Sequence, residues 1–138
     1  MSHTYSLKRN DLLYPDLSFK IVGVLIDVYK QLGPGHQEKY YQKAVSLGLV
    51  KAKLKFTEQK HVPLQFDGID VGRYFLDFLI EDKIILELKK GEFIPKETFD
   101  QVKGYITVLN LQLAIIANFT LHGVFYKRII TNQTQTRP

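Results

Sequence analysis

The stretch Phe75-Leu76-Asp77-Phe78-Leu79-Ile80-Glu81-Asp82-Lys83-Ile84-Ile85-Leu86-Glu87-Leu88-Lys89 decides how this chain folds. Apolar strand formers lie on either side of a polar break, Glu81-Asp82-Lys83, which reads as a tight turn between two antiparallel strands. Side chains alternate along a strand. In the first strand, Val71 to Ile80, residues Val71, Arg73, Phe75, Asp77 and Leu79 are therefore expected on one face, and Tyr74, Leu76, Phe78 and Ile80 on the other. In the second, Glu87 and Lys89 share a face and Leu88 takes the opposite one. Asp77 stands about four residues before the turn and Glu87 about four after it, so the hairpin brings two carboxylates together on one face.

Reading outward, Phe56 to Phe66 is rich in strand formers but holds Pro63, which points to an edge strand, and Asp67-Gly68 is a hairpin turn. Upstream, Ile21, Val24, Leu25, Val28 and Leu32 recur at spacings of three and four, predicting a helix over about Asp16–Leu32 with Asp16 or Ser18 as its cap. Gly33-Pro34-Gly35 ends it. A second helix is predicted over about His36–Leu49, with Tyr40, Tyr41, Ala44, Val45 and Leu47 as its apolar side. Downstream, Pro95 suits the first turn of a helix over about Lys96–Leu109. Leu111–Asn118 reads as a buried strand and Val124–Ile130 as a last strand. Hairpins come first and a helical crossover late, so the fold class is α/β with a mixed sheet flanked by helices. Residues 1–15 read as an arm, 16–130 as one domain and 131–138 as a polar tail.

Composition narrows the chemistry. The chain has 138 residues, 45% hydrophobic and 24% charged, enough for one domain that buries roughly two thirds of its unfolded surface. It has no cysteine, which removes disulfides, thiolate nucleophiles and thiolate metal sites. No apolar run nears the roughly 20 residues that span a bilayer, and Met1 to Asp16 lacks the apolar stretch of a signal peptide; the expectation is a cytoplasmic protein. The formal net charge of +5 suits a polyanionic partner and equally suits an ordinary basic surface. The histidines have no metal-ligand spacing, and no glycine-rich nucleotide loop is present.

The carboxylates remain. An E-x-K pair on a strand is commonly a solvated face with a weak ion pair. Here, however, both strands are apolar around their acids, as covered strands are, and acids buried there need a compensating partner. A hard divalent cation such as Mg²⁺ or Mn²⁺ is the natural occupant beside Asp77 and Glu87. Lys89 next to it can orient an attacking water and stabilise charge on a phosphoryl oxygen.

Gly35-His36-Gln37-Glu38-Lys39-Tyr40-Tyr41 matches a G-x-x-E-x-x-Y signature, and with it the chain resembles the GxxExxY family, a branch of the PD-(D/E)xK nuclease superfamily, from about Leu12 to Ile130. The resemblance also draws on the Leu32-to-Gly35 turn, the Asp77 and Glu87-Leu88-Lys89 strands, and Asn118-Phe119. Gln101-x-x-x-Tyr105 resembles the Q-x-x-x-Y element of RecB-type nucleases; the two residues share one face of a helix. The resemblance implies a restriction-endonuclease-like core and a metal-dependent deoxyribonuclease. It makes Glu38, Asp77, Glu87 and Lys89 catalytic, and has Glu38, Asp77, Glu87 and the Leu88 carbonyl hold Mg²⁺ or Mn²⁺. Tyr41, Gln101 and Tyr105 would brace the site or touch substrate, and Lys90, Lys96 and Lys103 flank it. Leu76 stands where the superfamily's proline is often found. The competing reading is a catalytically inactive nuclease-fold module that binds nucleic acid or a protein, and a homodimer is one arrangement for so small a domain.

Overall fold

The computed structural model describes residues 13–131. Among these residues three helices and five strands follow in the order α1 (Pro15–Leu32), α2 (Glu38–Lys51), β1 (Phe56–Phe66), β2 (Ile69–Ile80), β3 (Ile84–Lys90), α3 (Lys96–Leu109), β4 (Leu113–Thr120) and β5 (Gly123–Ile130). The strands form one sheet in sequence order, β1-β2-β3-β4-β5. Every neighbouring pair is antiparallel except β3 and β4, which the α3 crossover leaves parallel. The architecture is the expected α/β fold with a mixed sheet, and β1, which carries Pro63, is an edge strand.

The sheet is covered on both faces. One face packs Phe78, Ile80, Ile84, Leu86, Leu88, Leu113 and Ile115 against Ile21, Leu25 and Val28 of α1 and Tyr41, Val45 and Leu49 of α2. The other packs Leu79, Ile85, Ala114 and Ile116 against Val102, Tyr105 and Ile106 of α3. Strand β4 is buried along all eight residues, which is why its sequence is an unbroken apolar run. Each fully buried large side chain contributes roughly 1.5–3 kcal/mol, so this two-sided burial stabilises the middle strands that carry the acids.

Several local expectations are corrected. Helix α1 begins one residue early, with Pro15 in its first turn and Tyr14 as the capping residue; no side chain caps it. Asp16 therefore lies inside the first turn, and Ser18 is buried, accepting a hydrogen bond from the Arg128 guanidinium at 3.0 Å. That guanidinium also donates to the Leu13 carbonyl at 3.0 Å, tying the start of α1 to β5. Helix α2 starts at Glu38, two residues later than expected, and buries Tyr41, Val45 and Leu49 while Tyr40 and Leu47 stay exposed. Strand β4 is displaced by two residues, since Leu111 is held in the bend after α3 by a bond to the Ile106 carbonyl. Of the arm read over residues 1–15, Leu13 and Tyr14 pack against the α1–α2 core and Pro15 is helical; residues 1–12 and 132–138 lie outside the described residues. No helix among the described residues is long and apolar enough to cross a membrane.

The alternation expected along β2 also fails, at one place. Phe78 and Ile80 face the α1–α2 core, but Leu76 packs with Leu79 on the α3 side. On β1, the same change of face occurs: Phe56 packs against the α1–α2 core and Val62 lies in the α3-side core. Both strands exchange faces at the rung where Gln59 stands opposite Asp77, between the pairs Glu58–Phe78 and Lys60–Leu76.

Candidate active site

Asp77 lies where the sheet lets go on its β3 side. Strands β2 and β3 pair only at Phe78–Leu86, Leu79–Ile85 and Ile80–Ile84. The next rung would join Asp77 to Glu87. There, side chains replace the ladder: the Asp77 N–H donates to Glu87 Oε2 at 2.9 Å, and the Leu88 N–H donates to Asp77 Oδ2 at 2.8 Å. Two amides freed by the parting of the strands are thus satisfied by two carboxylates, each reaching across to the other strand. The hairpin reading of the two acids as close neighbours is met by this reciprocal contact.

The pair is electrostatically costly. Glu87 is 7% exposed. Burial, and next the charge of Asp77, push its carboxyl up to about 8, against lesser opposing effects from the Asp77 N–H and from Lys89. Asp77 is also raised, by burial first; the Leu88 N–H and the Gln59 amide pull it down, the charge of Glu38 adds to the rise, and Lys89 opposes it. Lys89, half-buried two residues beyond Glu87 on the same face, is close enough for its charge to act on both acids. Among the described residues, no cationic side chain lies within ion-pair distance of either carboxylate; the ion pair found is Lys96–Asp100 at 2.9 Å on exposed α3. The two carboxyls thus meet, Glu87 buried and Asp77 half-buried, with neutral N–H groups donating to them.

Glu38, the first residue of α2, comes to the same end of β3, where its Oε2 accepts the Lys90 N–H at 3.2 Å. It remains exposed, and its charge reaches Asp77. Among the described residues, no three or more His, Asp or Glu side chains are gathered closely enough to hold a metal ion, so the site as it stands is a carboxylate pair with Glu38 set apart. Tyr41, one turn along α2, is buried and acts on the chain rather than on the acids: its hydroxyl donates to the Gly33 carbonyl at 2.6 Å and accepts from the His36 N–H at 3.3 Å, and its ring stacks on Phe119 at 4.1 Å. It therefore holds the Gly33–Gly35 turn that launches α2 and Glu38. Asn118, opposite Lys89 on β4, donates to the Gly91 carbonyl at 3.0 Å and holds the chain where it leaves β3.

Tyr105 of α3 is buried against the acids. Burial first, then the charges of Glu87, Tyr74 and Asp77, raise its phenol well above the ordinary value, so it stays protonated and available as a donor. Its ring lies 6.2 Å from that of Tyr74 on β2. Gln101, one turn earlier, is exposed, and its side chain makes no hydrogen bond among the described residues. Lys90, Lys96 and Lys103 are exposed. Sequence reasoning missed Gln59, whose amide donates to Asp77 Oδ1 at 3.5 Å, and Tyr74 beside Tyr105. Counting back from the Asp67-Gly68 turn could have brought the first near Asp77, but not onto it.

A mixed sheet with helices on both faces, parting where half-buried Asp77 meets buried Glu87 with a lysine two residues on, defines a nuclease-type α/β domain. Residues 15–129 match the PD-(D/E)XK nuclease superfamily, and the chain belongs to it. No curated protein matches the chain. Solved structures similar to it include SSO0001, 10% identical over 86% of this chain and 80% of that one with a TM-score of 0.45. Another is an alkaline exonuclease from Laribacter hongkongensis, 11% identical over 93% and 74% with a TM-score of 0.43.

Proposed function

We propose that this protein is a metal-dependent deoxyribonuclease of the GxxExxY branch of its superfamily, and that Asp77, Glu87 and the Leu88 carbonyl hold its Mg²⁺ or Mn²⁺. The observation that carries the reading is the reciprocal contact of half-buried Asp77 with buried Glu87, with no cationic side chain among the described residues in ion-pair contact with either. Hard oxygen donors that repel one another suit a hard divalent cation. The Leu88 N–H points into the gap beside Asp77, and in an extended strand a residue's carbonyl points toward the same neighbour as its N–H, which supports Leu88 as the third oxygen donor. A cation bound there would supply Lewis-acid polarisation of a phosphoryl oxygen and a water of lowered pKa.

The chain's own groups do the rest. Lys89, beside the acids, orients the attacking water and stabilises charge developing on the phosphoryl oxygen. Glu38 serves as a further ligand, directly or through water. The protonated Tyr105 offers a hydrogen bond at the site, and Gln101 on the exposed face of the same helix contacts the substrate backbone. DNA is the favoured substrate on the likeness of Gln101-x-x-x-Tyr105 to the RecB-type element.

The test is cleavage of labelled single-stranded, duplex and branched DNA and of RNA with Mg²⁺, Mn²⁺ or EDTA, using wild type beside Lys89→Ala. Cation-dependent cleavage of DNA, reduced at least about 100-fold in the variant, is expected. Retained binding with no turnover on any substrate would replace this reading with a nucleic-acid-binding module that keeps the fold.

A further inference from the structure

We propose that Gln59 is a positioning residue that orients Asp77 for cation binding, and that a β-bulge two rungs from the hairpin turn exists in part to put it there. The proposal rests on the nuclease reading of the acids and adds a residue and a register device to it.

Three observations converge on one rung. First, the Asp67-Gly68 turn has both residues at positive φ, 54° and 76°, the two-residue turn that fits a tight hairpin. Carried on from that turn without interruption, the pairing Phe66–Ile69 and Gln65–Asp70 would set Glu58 opposite Asp77. The register instead shifts between Leu64 and Gln65, where Val71 is the extra residue, and every later pair moves by one. Gln59 now faces Asp77. An amide donor replaces what would have been a third carboxylate, while Glu58 is turned away and accepts a hydrogen bond from Ser46 of α2.

Second, Gln59 has φ 52°, inside strand β1. This left-handed conformation is costly for a side chain with a Cβ and is kept only where the surroundings demand it. This kink in β1 accounts for the unpaired rung and for the exchange of faces by β1, which takes place beside the same exchange in β2. Third, the Gln59 amide lies on Asp77 Oδ1 at 3.5 Å while the Leu88 N–H holds Oδ2 at 2.8 Å. Both oxygens of Asp77 are thereby placed, one by each neighbouring strand. Groups that orient ligands in this way are typically worth 10–100-fold in metal affinity.

The experiment compares wild type, Gln59→Gly and Gln59→Asn. Glycine takes the left-handed conformation without penalty and asparagine tolerates it, so both preserve the kink; glycine lacks the amide and asparagine is one methylene too short to reach Asp77. The metal-free unfolding midpoint and the Mn²⁺ affinity by calorimetric titration are measured for each. The expected result is a midpoint at or above that of wild type for Gln59→Gly, with Mn²⁺ affinity down about 10-fold or more in both variants. If both variants fold and bind Mn²⁺ as wild type does, Gln59 only shapes the strand and the proposal is overturned. A wild type that itself binds no Mn²⁺ overturns this proposal together with the metal-dependent reading; weak binding confined to the variants leaves that reading standing.

Discussion

At the scale of single residues, Glu87 carries the most unusual energetics. Its folded-state carboxyl titrates at about 8, whereas the ordinary value is 4.5, and Asp77 shifts in the same direction. The folded, metal-free protein therefore binds more protons than the unfolded chain between these values. The contribution of Glu87 to stability is complete below about pH 4.5 and is lost as pH rises through about 8. Thermal unfolding of the metal-free protein followed from pH 5 to 8 is expected to show a falling midpoint. Glu87→Gln keeps an oxygen for the Asp77 N–H and removes the charge. It should flatten that fall and stabilise the metal-free protein at pH 7 by on the order of 1–3 kcal/mol, while abolishing cleavage. A midpoint for Glu87→Gln that tracks wild type across the range would mean that the acid is better solvated than its burial indicates. The nearness of Asp77 to Glu87 was readable from the sequence because one short turn sets the two strands side by side with the acids equally far from it. Tyr41 was readable only as a bracing residue of some kind; that it holds the Gly33–Gly35 turn depends on a hydrogen bond eight residues back along the chain and on Phe119 stacked against it.

At the scale of elements, the contact between α1 and α2 and the register of the β1–β2 hairpin are the parts most open to test. The two helices meet at Gly48, where an added Cβ would come within 2.7 Å of Val24 Cγ1. Valine is stiff about χ1 and Val24 is buried, so the neighbour has little room to yield. Gly48→Ala is expected to destabilise by about 1–3 kcal/mol despite its gain in helix propensity, as measured by urea unfolding. Deleting Val71 is expected to remove the bulge and return Glu58 to the rung opposite Asp77. Hydrogen exchange should then show β1 shifted by one residue against β2, and Mn²⁺ affinity should fall by about 10-fold or more. An unchanged register after the deletion would show that packing at the core end, Phe56 and Val62, sets the pairing and the bulge merely accommodates it.

At the scale of the whole molecule, the acids sit on the middle strands that both core clusters cover, so bound cation should couple to global stability. At a Mn²⁺ concentration about 100 times its dissociation constant, wild type should gain roughly 2.7 kcal/mol, reversed by EDTA, and Glu87→Gln should gain little. A scanning calorimetry trace unmoved by Mn²⁺ at pH 8 would sink the metal assignment. The pH effect and the cation effect should oppose each other in wild type, because cation and proton compete for the same carboxylates.

The sequence by itself determined the order of helices and strands, the turns at Gly33–Gly35, Asp67–Gly68 and Glu81–Lys83, the mixed sheet and the nearness of Asp77 to Glu87. Those features follow from local periodicity, turn chemistry and the short hairpin that sets β2 beside β3. Only the tertiary structure decided that β2 and β3 part at Asp77, that Glu38 stops at the Lys90 amide, that Ser18 serves Arg128 instead of capping α1, and that Gln59 rather than Glu58 faces the acid. Each of these depends on a bulge, a kink or a partner distant in the chain. A bulge changes which residues pair without leaving a trace in the apolar pattern, because the exposed residues on either side of it are under no demand to be buried.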